Sequence, residues 1–172
     1  LVPLHGKGLD YLPGQFAYFS FGSRQLPNEW HPFTLSSTPT RPKNIQITVR
    51  SCGDWTDQIK TIQKGDRVWV HGPFGRFSHV LESNEKEVIM IAGGIGITPM
   101  LSMLQSLSDK KDQRRITLLW SNRSAEYEFN NDEFEAIADR LPNFTYMPVF
   151  TDKEEPKGKF GRLNIDRLKT LL

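Results

Sequence analysis

The sequence predicts a two-domain chain: an antiparallel β-barrel over residues 1–82, followed by an α/β domain with a parallel sheet over 87–172. Three observations predict it. The first half consists of short β-prone runs separated by Gly/Pro turns. The second half alternates apolar strand runs with helical periodicity, the pattern of parallel strands joined by right-handed crossovers. The third is the stretch around which the chain is arranged: Val88-Ile89-Met90-Ile91-Ala92, then Gly93-Gly94-Ile95-Gly96-Ile97-Thr98-Pro99, then an amphipathic run. The continuous apolar run reads as a buried strand. The glycines let backbone approach a ligand, and Pro99 sits in the first turn of a helix, which tolerates a missing N–H. Met100, Met103, Leu104 and Leu107 recur at i, i+3, i+4 and i+7 and give that helix one apolar face. Strand, glycine turn and helix start form a cradle for a nucleotide diphosphate, because free N–H groups at a helix start favour an anion; a tight strand-to-helix turn with no ligand reads the same way.

Taken in order, Tyr11-Leu12-Pro13-Gly14 is a turn that leads into the aromatic strand Gln15-Phe16-Ala17-Tyr18-Phe19-Ser20-Phe21. The polar stretch 22–30 contains Pro27 and reads as a loop. His31-Pro32-Phe33-Thr34-Leu35-Ser36-Ser37 begins as a Pro-restrained extended segment. Ile45-Gln46-Ile47-Thr48-Val49-Arg50 alternates cleanly, as a half-buried strand does, with Ile45, Ile47 and Val49 inward. Gly53-Asp54-Trp55-Thr56 opens a short helix. Arg67-Val68-Trp69-Val70-His71 is a further strand, ended by Gly72-Pro73-Phe74-Gly75, and 82–86 is a polar linker. In the second half a helix over 99–108 precedes the strand Ile116-Thr117-Leu118-Leu119-Trp120. The next helix places Phe134, Ile137, Ala138 and Leu141 on one face, Asn143 marks a turn, and residues 144–150 form a strand. Ile165, Leu168 and Leu172 line one side of a terminal helix. Only three strands are evident, and the last helix has no strand to return to. The second domain therefore reads as incomplete, with a C-terminal part missing or with another chain supplying it.

A chain of 172 residues with 37% hydrophobic content can bury one sizeable core or two small ones. Its net charge of +2, from 22 basic and 20 acidic residues, is too balanced for a nucleic-acid partner. Lys110-Lys111 and Arg114-Arg115 are broken by Asp112 and read as a solvated loop. Cys52 is the only cysteine, which excludes an intrachain disulfide and a cysteine-rich metal site. It reads as a buried filler. No window reaches the length of a membrane span and no signal peptide is evident, although the chain starts at Leu1 without an initiator Met and leaves room for an upstream membrane portion.

Two groups of residues have the chemistry of binding sites. His31-Pro32-Phe33-Thr34 presents a ring and a hydroxyl from a restrained segment, able to stack on a flat heterocycle and hydrogen-bond its edge; an ordinary strand with a core Phe reads the same way. Arg50, the backbone from Gly53, and Thr56 can converge on a pyrophosphate, or form a solvated Arg before a capped short helix. Trp55 suits either an adenine or the barrel wall. The second group is Gly93, Gly94, Gly96, Thr98 and Pro99, which departs from G-x-G-x-x-G because Pro99 takes the place of the last glycine. Arg123, just past the next strand, is a cation placed for a ribose or its phosphate, or simply a surface charge. His71 and His79 read as surface or turn residues.

Taken together, Pro13-Gly14-Gln15-Phe16, His31-Pro32-Phe33-Thr34, Gly53-Asp54-Trp55-Thr56, Gly72-Pro73-Phe74-Gly75 and the stretch from Ala92 to Pro99 resemble the ferredoxin–NADP reductase superfamily. The resemblance is greatest to the FAD- and NAD(P)H-binding dehydrogenase domain of NADPH oxidases and membrane ferric reductases, and it runs over nearly the whole chain. It implies an FAD-binding barrel joined to an NAD(P)H-binding α/β domain. Hydride would pass from NAD(P)H to FAD, then single electrons to haem, ferric iron or oxygen. Phe33 would contact the isoalloxazine, Thr34 would approach flavin N5, and Thr56 would meet the FAD pyrophosphate. Thr98 would lie near the nicotinamide. Many relatives have Arg where this chain has His31, whereas the oxidase branch has His there too. Where NADPH users often have Ser-Arg, this chain has Thr151-Asp152-Lys153, so NADH remains possible beside NADPH. The resemblance further implies a longer protein on the cytoplasmic side of a membrane, fed from this module into an upstream haem-containing domain. The alternatives are a soluble cytoplasmic ferredoxin, flavin or iron-chelate reductase with a soluble acceptor, or a non-catalytic nucleotide-binding regulatory module.

Overall fold

The computed structural model describes residues 1–4, 8–23, 25–81 and 84–172. Its chain divides into two compact units: Leu1–Ser83 with Thr98–Ser106, and Asn84–Ile97 with Leu107–Leu172. The sequence places one division in the linker 82–86, of which residues 82 and 83 lie outside the described residues. It gives no sign that Thr98–Ser106 groups with the first unit.

The first unit is built on an antiparallel sheet of order β2-β1-β3, with β1 at Phe16–Gly22, β2 at His31–Thr34 and β3 at Arg67–Phe74. Side chains alternate across β1. Ala17, Phe19 and Phe21 point into a core completed by Tyr11, Leu26, Leu35 and Ile45. Register pairs Ala17 with Phe33 and Phe19 with His31, so His31 and Phe33 share the core-side face of β2, while Pro32 and Thr34 share the face of Tyr18 and Phe16. β3 runs on through Gly72-Pro73 rather than ending at His71, because a register shift between Phe16 and Tyr18 absorbs an extra residue opposite them. Gly14 turns with φ +97, and a Cβ there would meet the Phe77 carbonyl oxygen at 2.2 Å.

The expected strand at 45–50 is extended but not a continuous ladder. Gln46 accepts from the Ser36 N–H at 2.9 Å, yet its own N–H goes to Ser37 Oγ at 3.0 Å. A side chain has taken the place of the next rung. The inward pattern survives in buried Ile45 and half-buried Ile47 and Val49. The Tyr11 hydroxyl donates to the Ser37 carbonyl at 2.9 Å, and Ser102 Oγ donates to the same oxygen. Helix α1 (Asp54–Gln58) buries no residue and continues into a 3-10 turn at Ile59–Thr61. Cys52, expected as buried filler, is exposed, because it lies on the loop before α1 rather than under it.

The second unit is a parallel sheet of order β4-β5-β6-β7: β4 at Glu87–Gly93, β5 at Arg115–Asn122, β6 at Phe144–Phe150 and β7 at Lys159–Phe160. β7 escapes the sequence reading because two exposed residues make no apolar run. β5, flanked by strands on both sides, is buried on both faces. β4 is not: Met90 and Ala92 are buried, but Ile89 and Ile91 are 44% and 43% exposed. The apolar run there belongs to an end strand with one face open, which corrects the expected buried strand.

After β4 a 3-10 turn at Gly94–Ile97 leads directly into α2 (Thr98–Asp109), whose Met100, Met103, Leu104 and Leu107 are all buried as their spacing predicts. In α3 (Asn131–Arg140) the buried face is Phe134 and Ile137, followed by Leu141; Ala138 is exposed, off the centre of that stripe. The terminal helix α4 (Ile165–Leu171) forms, with Asn164 Oδ1 accepting from the Arg167 N–H at 2.9 Å. Its expected face is only partly right: Leu168 is half-buried, but Ile165 and Leu172 are exposed. Among the described residues no helix is long and apolar enough to cross a membrane, and no cluster of His, Cys, Asp and Glu suits a metal ion.

Candidate functional site

In the first unit, β2 and α1 bring three of the expected residues together. The Trp55 ring lies on the His31 ring with centroids 3.8 Å apart, and on Phe33 at 5.9 Å and 25°. His31 and Phe33 share a strand face at i and i+2, so one indole spans both. Trp55 Nε1 reaches the Pro27 carbonyl at 3.4 Å, and Glu29 Oε2 lies 3.0 Å from His31 Nε2. Here the indole packs against the wall and covers the shelf that Phe33 offers. Thr34 is on the opposite face of β2, beside Phe16, and β2 is an edge strand. A flat ring meeting both Phe33 and Thr34 therefore has to lie across that edge.

The loop before α1 is satisfied by its own groups. Thr56 Oγ1 accepts from the Cys52 N–H at 2.7 Å and donates to the Gly53 carbonyl at 3.0 Å, while Ser51 Oγ donates to Asp57. Gly53 has φ +114 and nothing within 4 Å of where a Cβ would be. Arg50 is exposed, with no ion pair or hydrogen bond from its guanidinium to the described residues. These residues fit a flavin dinucleotide in kind: a ring surface, an edge hydroxyl, an uncommitted guanidinium and a glycine that can swing. The fit requires Trp55 and the Thr56 hydroxyl to change partners.

In the second unit, the carboxyl ends of β4, β5 and β6 line up: Gly93 pairs with Ser121, and Asn122 with Phe150. Open α/β sheets take ligands at these ends. Gly93 and Gly96 have nothing within 4 Å of a built Cβ, so the turn keeps backbone accessible over empty space. That open cradle fits a nucleotide diphosphate. Thr98 is buried at the start of α2 and Pro99 is half-buried beside it. The sequence reading misses Trp120, which is fully buried and donates from Nε1 to the Gly94 carbonyl at 2.8 Å, fixing the turn from β5. It also misses Asn122, buried with no partner for Nδ2 among the described residues. Trp120 ends the predicted strand and Asn122 follows two residues on; an indole N–H and an amide at a strand end were the available signal.

Beyond Asn122, Thr151 N–H donates to the Asn122 carbonyl and Asp152 N–H to the Arg123 carbonyl, both at 3.0 Å. Arg123 itself is exposed and its guanidinium has no partner among the described residues. Lys153 is not free in this way: Glu155 lies 3.3 Å from its ammonium and Glu126 3.5 Å, and the Glu155 carboxylate holds its pKa above the usual lysine value.

Residues 3–121 match the family described as FAD-binding domain, and residues 90–171 match the oxidoreductase NAD-binding domain. The chain belongs to the FAD- and NAD-binding domains of the ferredoxin–NADP reductase superfamily, whose cofactors are FAD and NAD(P)H.

Among curated relatives, it is 30% identical to a flavohemoprotein of Deinococcus radiodurans, over 100% of this chain and 45% of the relative. It is 33% identical to NADPH oxidase 1 of Rattus norvegicus, over 99% of this chain and 33% of the relative. The chain thus spans a third to a half of these relatives. The flavohem-like FAD/NAD binding domain of a nitric oxide dioxygenase from Vibrio cholerae superposes with a TM-score of 0.82 at 22% identity, over 95% of this chain and 71% of that one, which shows the shared fold.

Proposed function

We propose that this chain is the flavin–nicotinamide module of an NAD(P)H:acceptor oxidoreductase whose acceptor is haem, ferric iron or oxygen. When bound, FAD and NAD(P)H supply the redox chemistry, with two electrons taken from the nicotinamide and released singly to the acceptor. The chain's own residues bind and orient. His31, Pro32, Phe33 and Thr34 offer a ring and a hydroxyl to the flavin. Arg50, Gly53 and Thr56 serve its diphosphate end, with Arg50 as the counter-charge, and Trp55 moves off Phe33 to admit the ring. Gly93, Gly94, Gly96, Thr98 and Pro99 cradle the nicotinamide nucleotide, and Arg123 attends its adenosine ribose or 2′-phosphate. No side chain is assigned as a general acid or base.

The observation that carries the reading is the clear space at Gly93 and Gly96, at the carboxyl end of a parallel sheet. In the longer protein the module lies on the cytoplasmic side of a membrane and is coupled to an upstream haem-containing domain. Relatives named as a flavohemoprotein and an NADPH oxidase support a haem partner. NADPH is preferred over NADH because Arg123 is uncommitted, although Asp152 opposes a 2′-phosphate.

The test is spectroscopic. FAD added to the full-length protein is expected to stay with it through gel filtration and to bleach anaerobically on adding NADPH. Failure of both overturns the reading. A higher turnover efficiency with NADH than with NADPH overturns the preference alone.

A further inference from the structure

We propose that the side-chain amide of Asn122 is a binding group for the adenosine end of the nicotinamide nucleotide, donating from Nδ2 to an acceptor oxygen of the ribose. This rests on the reading of the glycine turn as the nucleotide site. Asn122 is 6% exposed, and its Nδ2 is screened from solvent without a hydrogen-bond partner among the described residues. Buried donors left unmade are uncommon and costly, so one at a strand end calls for an acceptor.

The backbone of Asn122 is already committed, its carbonyl accepting from the Thr151 N–H at 3.0 Å. Only the side chain is unsatisfied. Along β5, Asn122 falls on the same face as Trp120, whose indole ends at the Gly94 carbonyl. Asn122 is the next side chain on that face toward the carboxyl end, one residue past Ser121, the partner of Gly93. A dinucleotide whose diphosphate rests on the glycine turn extends over the end of the next strand, where its adenosine ribose is recognised in folds of this kind. Arg123, the charged candidate at that end, is exposed to solvent, whereas the amide of Asn122 is held in a buried position with two side-chain torsions to reorient.

The test is calorimetric titration of NAD⁺, ADP-ribose and nicotinamide mononucleotide into the wild type, Asn122→Leu and Asn122→Ser, with thermal midpoints recorded beside them. Leu is near in volume and leaves no donor, so Asn122→Leu is expected to melt no lower than the wild type. Its Kd for NAD⁺ and for ADP-ribose is expected to rise about tenfold, the scale of one good hydrogen bond, with the mononucleotide unchanged. Asn122→Ser gives the same ligand ranking should the leucine not fold. Unchanged affinities with a lowered midpoint overturn the inference and make the amide structural. An equal loss for all three ligands overturns its placement at the ribose. If the wild type binds none of them, the reading of the glycine turn fails first and this inference with it.

Discussion

The indole N–H of Trp120 donates to the carbonyl of Gly94 at 2.8 Å, joining the inside of β5 to the second residue of the glycine turn. The turn is thereby held from beneath by a fully buried side chain, while Gly93 and Gly96 stay open above. Trp120→Phe keeps most of the bulk and removes the donor. It is expected to cost about 1–2 kcal/mol of stability and to weaken NAD(P)H binding several-fold, measured by denaturant titration and calorimetry.

Gly96→Ala separates space from strain. Gly96 has no positive φ to forbid a side chain and nothing near its Cβ position, so the variant is expected to melt within a few degrees of the wild type. The added methyl would occupy the clearance a diphosphate needs, and NAD(P)H affinity is expected to fall tenfold or more. An unchanged affinity would place the nucleotide elsewhere.

Trp55 lies on His31 and Phe33 where a flavin ring would seat. Trp55→Ala is expected to accelerate FAD association several-fold, read by stopped-flow quenching of flavin fluorescence. Trp55→Phe, which keeps an aromatic but loses the contact to Pro27, should fall between. Slower association in both would instead make Trp55 a stacking partner of the bound cofactor.

Alkaline pH should unfold this chain earlier than its charge balance suggests. Burial, together with the hydrogen bond donated to Glu128, pushes the Tyr146 phenol well above its usual 10.0. Burial raises Tyr11 too, partly offset by its hydrogen bond with Ser37. Above about pH 10 the unfolded chain releases these protons and the folded chain keeps them, so stability is intact below pH 10 and falls as pH rises. Each tyrosine held neutral in the folded chain adds to that downward slope. Tyr146→Phe should flatten the loss between pH 10 and 11 in urea melts.

Much of this was legible in the residues because periodicity reports burial where an element packs on one side. The α2 stripe Met100, Met103, Leu104 and Leu107 is such a case. The β4 run was misread because an apolar string looks the same in a sheet interior and at its end; only the sheet order distinguishes them. The break at 45–50 was hidden because Ser37 Oγ, a side chain, intercepts a backbone rung. At the sites, glycines and proline announced the nucleotide turn. The coupling of Trp120 to Gly94, and of Trp55 to His31, depends on partners 26 and 24 positions away in sequence, which no local pattern encodes.

The half-open β4 has a consequence outside redox chemistry. Among the described residues no strand pairs with its outer rim, whose amides and carbonyls, flanked by Ile89 and Ile91, are a template onto which another chain can zip. Colloidal behaviour should therefore depend on concentration, with light scattering rising as the protein is concentrated. Ile91→Lys is expected to suppress that rise while leaving the melting temperature nearly unchanged, because the lysine head can remain in water at a position already half exposed.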